Sequence, residues 1–518
     1  FLTLIIGIWT AYRLYPLLLD TRLHKARFAR LDEMETLFSK KPCHDGLVLG
    51  RVRQFLLFHH YVCVRPTKTK KEIGNSLIIG PTGMGKGNMI ESQILAWKES
   101  IMINDIKGDL FVKTAGYRAT LGPVYVIDPT RGRGQSVNPL HGKTTEDAYL
   151  SVARNLVYDP NDRDPFFAES ASLMIMRLFQ AARLEGIAPL VYLRHMIHLG
   201  LPAVAKRLDS LDPKIATSFL GANFHEANLD NRTLTSVWST LATRLTPFLT
   251  ETLVRCFTRS DVTAETIMRG EKPVTVYFRF EEGELERLSP LVRVLWGSQV
   301  KELIACFDRA EGKGCRPVLL SIDEAGRTPI PSLAGHVATI RSRGIFAQLY
   351  AQSFAQLEQN YDAKNAQTIS ANMDTHVFLR PNDQETARSI EEWLGKGSKY
   401  AHSYNMRVEN ELNEGLSEQA TPVMTARAIM EMHEKYALLF HRDFPPMKVL
   451  RLKWWQSKML KKRHSMPVPQ LPTLPAVPDL EPASFVPVQD MPRTTNGYID
   501  PDILLTRTKE TEFIQEPL

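Results

Sequence analysis

No uninterrupted hydrophobic run in these 518 residues is long enough to cross a bilayer. The apolar stretch FLTLIIGIWTAY at 1–12 would reach about 18 Å as a helix, against a hydrocarbon core of about 30 Å. We expect 1–20 to be the end of a transmembrane helix. Trp9, Tyr12 and Tyr15 would sit at the interfacial belt, and Arg22, Lys25, Arg27 and Arg30 would keep the bulk of the chain in the cytoplasm. Cysteine is sparse as well: Cys43, Cys63, Cys256, Cys306 and Cys315 are scattered and odd in number, with no CxxC pair and no Cys/His cluster. This excludes a disulfide framework and a structural zinc site, and fits reduced, mostly buried thiols. The fourteen histidines lack metal-ligand spacing, and neither GxSxG nor a catalytic-cysteine context occurs. Acid is short outside the last segment. Residues 466–518 hold eight acids and three bases, a net −5, which leaves about +12 for the rest of a chain whose total is +7. A basic body suits an anionic partner such as nucleic acid or a membrane surface, or is simply a solvated basic surface.

What is present is organised around SLIIGPTGMGKGNMIE at 76–91. Leu77, Ile78 and Ile79 predict a strand, and Ile94, Leu95 and Trp97 continue a helix. Between them lie Gly80, Pro81, Thr82, Gly83, Met84, Gly85, Lys86, Gly87 and Asn88. This is the spacing of a phosphate-binding loop: glycines let backbone N–H groups turn inward, the helix N-terminus favours an anion, and Lys86 reaches the outer phosphates. Gly87 stands where Ser or Thr would offer a hydroxyl to magnesium.

The second half of a nucleotide hydrolase is read in LLSIDE, 237 residues after Lys86. Asp323 at the strand end would hold Mg2+, through water, and Glu324 would polarise the water that attacks the γ-phosphate of ATP. Gln352 ends the strand of IFAQLYAQS and is either a γ-phosphate sensor or a turn-capping amide. Arg341 and Arg343 are candidates for an arginine finger reaching a neighbouring subunit, or for surface or nucleic-acid contact.

Taken in order, the pattern predicts an α/β fold with a parallel sheet and its ligand edge at the strand C-termini. Strands are expected at Ile101–Ile103, Val124–Ile127, Val274–Phe280, Pro317–Ile322, Ile345–Tyr350, His376–Leu379 and Ala437–Phe440, with a helix over Leu291–Cys306. Residues 21–145 and 262–456 are read as two parts of one nucleotide-binding domain. Between them, 146–261 is read as an inserted all-α domain, from helical spacing at Phe167, Ala171, Met174, Leu178 and Ala182 and again at Leu234, Val237, Leu241, Leu245 and Phe248. From 457 the chain turns basic, then proline-rich and acidic from Met466, which predicts a weakly ordered, partner-binding tail.

In order along the chain, GPTGMGKG, DIKGD, AGYR, IDP, NPL, DPFFAESA, SIDEAG, TIRSRGI, AQS and ND-QETA resemble the motifs of type IV secretion coupling proteins of the TraG/TraD type, over roughly Asn75 to Leu394 and more loosely to Phe444. Gly87 fits, because members of that family often carry GKG; Asp323-Glu-Ala-Gly departs from the aromatic that many carry after the acids. The resemblance implies a RecA-like P-loop NTPase with an all-α domain, anchored in the bacterial inner membrane and hexameric when active, that binds ATP and Mg2+. It implies nucleotide binding at Gly80 to Asn88, hydrolysis at Asp323 and Glu324, and a sensor at Gln352. The implied partners are secretion-channel components and either a relaxase–DNA complex or effector proteins with their adaptors. Two other functions share such a core: a DNA translocase of the FtsK/HerA kind, and a membrane scaffold with a vestigial ATP site. The membrane stub and helical insertion favour the coupling protein over the first, and intact Lys86, Asp323 and Glu324 weigh against the second.

Overall fold

The computed structural model describes residues 25–54, 58–66, 72–158, 162, 165–221, 229, 231–328, 330–406 and 412–477. In chain order the strands are β1 (Phe38–Ser39), β2 (Leu47–Gln54), β3 (Phe58–Val64), β4 (Ser76–Ile79), β5 (Ser100–Asp105), β6 (Val124–Asp128), β7 (Arg133–Gly134), β8 (Thr275–Arg279), β9 (Val318–Ile322), β10 (Ile345–Ala351), β11 (Thr375–Phe378), β12 (Lys396–Met406), β13 (Leu412–Pro422), β14 (Tyr436–His441) and β15 (Phe444–Leu450). Thirteen of them form one sheet, in the order β1-β3-β2-β15-β14-β11-β4-β10-β9-β5-β8-β6-β7. The stretch from β11 to β6 is parallel throughout. Antiparallel strands extend it beyond β11 and, with β7, beyond β6. β12 and β13 pair as a separate hairpin.

The parallel strands are largely apolar and buried along most of their length because both faces are covered. Alternation still sorts them: Leu77 and Ile79 pack into the core on one face while Ile78 packs on the other, and Met102 opposes Ile101 and Ile103 in the same way. Helices α1 (Lys86–Ala96) and α2 (Asp109–Leu121) cover the Ile78 face. Arg118, from the AGYR stretch, is fully buried there. It donates to Thr275 Oγ1 at 2.7 Å, to the Glu99 carbonyl at 2.7 Å and to the Trp97 carbonyl, which ties α2 to β8 and to the turn between α1 and β5.

On the other face, the described residues between Gly134 and Thr275 contain helices and no strand. The long ones are Glu146–Val157, Phe166–Leu184, Pro189–Leu199, Leu201–Leu211 and Arg232–Leu245. Ala171, Met174, Leu178 and Ala182 are buried, as are Val237, Leu241, Leu245 and Phe248, in the same core that lines the sheet. Helix α3 (Leu285–Arg309) links the two: it packs on Glu146–Val157, and its Trp296 stacks edge-on to Phe278 at 5.1 Å and donates to Asn104 Oδ1 at 3.2 Å.

One expectation is corrected. The tail does not become loose at Met466. After α4 (Lys458–His464), the proline-rich segment runs back across α2 to β7, where Gly134 N–H donates to the Pro472 carbonyl at 2.8 Å and Leu474 and Val477 are buried. A proline lacks the donor but keeps its carbonyl, so such a segment can still cap a sheet edge. Residues 478–518, and the transmembrane end expected at 1–20, lie outside the described residues. Among the described residues no helix is long and apolar enough to cross a membrane. Arg27, read as part of the basic flank, forks onto Glu33 at 2.6 and 2.8 Å and holds that carboxyl down at about 2. All five cysteines are free and four are buried.

Candidate nucleotide site

β4 ends at Ile79 and the chain turns at once: Gly80 N–H donates to the Ala351 carbonyl at 3.1 Å, which fixes the start of the loop against β10. Gly83 and Gly85 have φ of +81° and +94°, a region that L side chains rarely adopt, so the loop's inward-facing N–H groups depend on these two glycines. α1 starts at Lys86 with no side-chain cap, which leaves its first-turn N–H groups free for an anion. Lys86 is buried, and its Nζ donates to the Gly80 carbonyl at 2.5 Å. A Cβ on Gly87 would meet nothing nearer than Glu91 Oε1 at 3.9 Å, so the missing hydroxyl reflects residue choice and not lack of room.

β9 brings the acids to the same edge. Asp323 Oδ1 accepts from the Glu324 N–H at 3.0 Å. Glu324 itself sits at φ +50°, a strained backbone for a non-glycine, held in place because Ala325 N–H donates to the Tyr350 carbonyl at 2.7 Å and Thr328 Oγ1 donates to the Glu324 carbonyl at 3.2 Å. From β5, Asn104 Nδ2 donates to the Asp323 carbonyl at 3.0 Å. Gln352, at the end of β10, donates from Nε2 to Glu324 Oε2 at 3.2 Å, and Lys107 Nζ stands 4.0 Å from Glu324 Oε1.

The charges feel one another. Desolvation, then the adjacent Glu324 carboxylate, pushes the Asp323 carboxyl up to about 7. Burial lowers Lys86, with Glu324 and Asp323 opposing that shift. A strained, desolvated acid pair beside a buried lysine is a site whose balance a bound divalent cation and phosphates would complete. Among the described residues there is no cluster of three or more His, Cys, Asp or Glu ligands. Mg2+ needs none, since it keeps waters and takes one or two carboxylates together with substrate phosphates. Asp323 fits that role.

Pro81, Thr82, Gly83, Gly85, Lys86, Gly87, Asn88, Asp323 and Glu324 thus line one cleft of about 250 Å³, with Gly80 and Met84 in the same turn and Gln352 on the rim through Glu324. Sequence reasoning missed other residues that line it: Glu91, Lys107, Asp109 and Lys113. Lys113 bridges Glu91 at 2.7 Å and Asp109 at 2.6 Å. DIKGD, one of the motifs that carry the resemblance, holds Lys107 and Asp109; Glu91 and Lys113 lie outside it, on α1 and α2. Arg341 and Arg343 are not brought to the cleft. They precede β10 and therefore lie at the opposite edge of the sheet, where Arg341 pairs with Asp374 at 2.7 Å and Arg343 with Asp308 at 2.8 Å.

Comparison with known proteins bears on the whole arrangement. The family model described as Type IV secretory system Conjugative DNA transfer matches residues 38–474. Protein VirD4 of Rhizobium radiobacter is 23% identical over 481 residues, covering 86% of this chain and 66% of its own length. A conjugal transfer protein TraG of Escherichia coli is 26% identical over 356 residues, covering 62% of this chain and 54% of its own. The chain thus spans between about half and just under two thirds of the curated relatives it matches. Among solved structures, the plasmid coupling protein TrwB in complex with the ATP analogue ADPNP superposes with a TM-score of 0.61 at 18% identity, covering 87% of this chain and 96% of that one. TrwB in complex with ADP and Mg2+ gives 0.60 with the same identity and coverage. The fold is therefore the one that the TrwB structures show, a mixed α/β arrangement around a largely parallel sheet.

Proposed function

The chain belongs to the Type IV secretory system conjugative DNA transfer family, and from that membership we propose that it is a coupling ATPase that delivers a substrate to a type IV secretion channel. The observation that carries the reading is the meeting of Lys86, Asp323, Glu324 and Gln352 at one cleft, from three strand ends far apart in sequence. In this reading the loop from Gly80 to Asn88 cradles the phosphates of ATP through N–H groups beyond Pro81, the Gly80 N–H being held by Ala351, and Lys86 leaves the Gly80 carbonyl for the β- and γ-phosphate oxygens. Asp323 would hold Mg2+, which would supply positive charge against the transferring phosphoryl group. Glu324 orients the attacking water. Gln352, already bonded to Glu324, changes partner when the γ-phosphate leaves and carries that change into β10. TrwB structures with ADPNP and with ADP and Mg2+ support these ligands as the class to test.

The same reading assigns residues 1–20 to a membrane anchor, 21–145 and 262–456 to the motor domain, 146–261 to an all-α domain that meets substrate or channel, and 457–518 to a partner-binding tail. It has the chain at the bacterial inner membrane, working as a homo-hexamer with secretion-channel components and with a relaxase–DNA complex or effector proteins and their adaptors. A trans role for Arg341 or Arg343 requires release from Asp374 or Asp308 on assembly. The test is ATP turnover by the membrane-assembled chain. Turnover that needs Mg2+ and is lost in Lys86→Ala is expected; equal turnover in the variant removes the site. Stimulation by duplex DNA that fades with salt points to a DNA substrate, and stimulation only by protein cargo points to export.

A further inference from the structure

Arg451 follows β15 directly and emerges beside the loop on the flank away from Asp323 and Glu324. Its side chain is 7% exposed, and Nε and Nη1 are both buried without a hydrogen-bond partner. The ion pair it makes is long and loose: Nη2 lies 3.8 Å from Oε2 of Glu434, whose own side chain is 54% exposed. Arg380, just past β11, adds a second positive charge to this corner. A Cβ built on Gly85 would stand 2.9 Å from Arg451 Nη1 and 3.5 Å from Nδ2 of Asn88. Two donors, one arriving from β15 and one from α1, therefore flank a single point at the start of α1, whose own N–H groups carry no side-chain cap.

Buried guanidinium donors without acceptors are costly, and a native fold tolerates them where a ligand supplies the acceptors. The first turn of the helix after a phosphate-binding loop is where an anionic ligand is held by backbone N–H groups. We infer that Arg451 donates to the α-phosphate of a nucleoside 5′-di- or triphosphate, so that the nucleotide is gripped by Asn88 from α1 and by Arg451 from the C-terminal strand. The inference rests on the nucleotide reading of the loop and extends it to a residue 127 positions beyond Glu324. A contact to the α-phosphate is present with ATP and ADP alike, so its loss lowers both affinities equally.

The experiment uses the full chain, with Arg451→Gln and Arg451→Lys, ADP and the analogue ADPNP as probes, and two readouts: dissociation constants and melting temperature with and without ADP. Arg451→Gln is expected to raise both dissociation constants by about tenfold, a typical weight for a charge-assisted hydrogen bond. It should also shrink the ADP-induced rise in melting temperature. Arg451→Lys keeps the charge without the fork and is expected to recover part of the loss. A residue acting only as a strut behind the loop would lower the melting temperature of the ligand-free protein while leaving ADP affinity and the ADP-induced rise as in the wild type, and that result overturns the inference. Wild-type protein that binds neither probe removes the nucleotide reading and this inference with it.

Discussion

At the amino ends of β4, β10 and β11, charges are matched closely. Asp374, almost fully buried, accepts from the Asn75 N–H at 2.9 Å, from Arg341 at 2.7 Å and from Arg442 at 2.5 Å. Asn75 also takes the Ala347 N–H at 2.9 Å and gives a bond to the Val337 carbonyl at 2.8 Å. At the carboxyl edge of the same sheet, after β4 and β9, the matching stops. Lys86 falls back on a backbone carbonyl, Glu324 is held in a strained conformation, and Asp323 is pushed towards neutrality. Both edges belong to one sheet, so the contrast is not one of rigidity. One edge is complete without a ligand and holds register; the other is left for a ligand to complete.

The contrast can be broken from either edge. Lys86→Ala should cost the most function, about 10³-fold or more in ATP turnover, while the melting temperature of the ligand-free protein stays at or above that of the wild type. Asp374→Ala should do the reverse. Removing the shared acceptor of Asn75, Arg341 and Arg442 should cost about 1–3 kcal/mol of unfolding free energy, read by urea denaturation, with ADP affinity of the folded protein unchanged; a weakened ADP affinity would mean that the edges are not separable.

Acid should move the two edges in opposite directions. Burial lowers His376, near the amino end of β11, to about 4, so it stays neutral when folded. Its contribution is intact above its ordinary value of 6.5 and is lost as pH falls towards 4, by on the order of 1–3 kcal/mol. Asp105, at the carboxyl end of β5, is raised by burial to about 6. Here the folded state binds the extra proton, so stability is gained as pH falls through 6 towards 3.8. Unfolding measured from pH 7 to 4.5 in His376→Phe should therefore lose less stability than the wild type; parallel curves would refute the assignment. The smallest effect expected is that of Gln352→Ala, about tenfold in turnover with ATP binding retained.

How much of the fold and the site was legible in the sequence depends on the kind of signal each element carries. Leu77–Ile79 is an unbroken apolar run, and Val318–Ile322 and Ile345–Ala351 are apolar but for Ser321 and Gln348; such runs, ending in glycine or polar residues, mark buried parallel strands. The loop and the acid pair were readable because their chemistry demands particular residues at particular offsets. The hairpin of Lys396–Met406 and Leu412–Pro422 was invisible, since both strands are polar and neither alternates. β15 was hidden by Pro445 and Pro446, which sit where its register with β14 shifts. Without β15, nothing in the sequence could bring Arg451 to the loop. Arg341 and Arg343 were read from their place between the acid strand and the Gln352 strand, but a parallel strand separates its two ends by its own length, and they stand at the far one.

The most direct test of the account is ATP turnover and ATP binding measured side by side in assembled Glu324→Gln protein. The account predicts wild-type binding with turnover reduced at least about 100-fold, because the cleft still holds the phosphates but no longer orients water. Turnover equal to the wild type would contradict the claim that Lys86 and the 323–324 carboxylates act on one nucleotide.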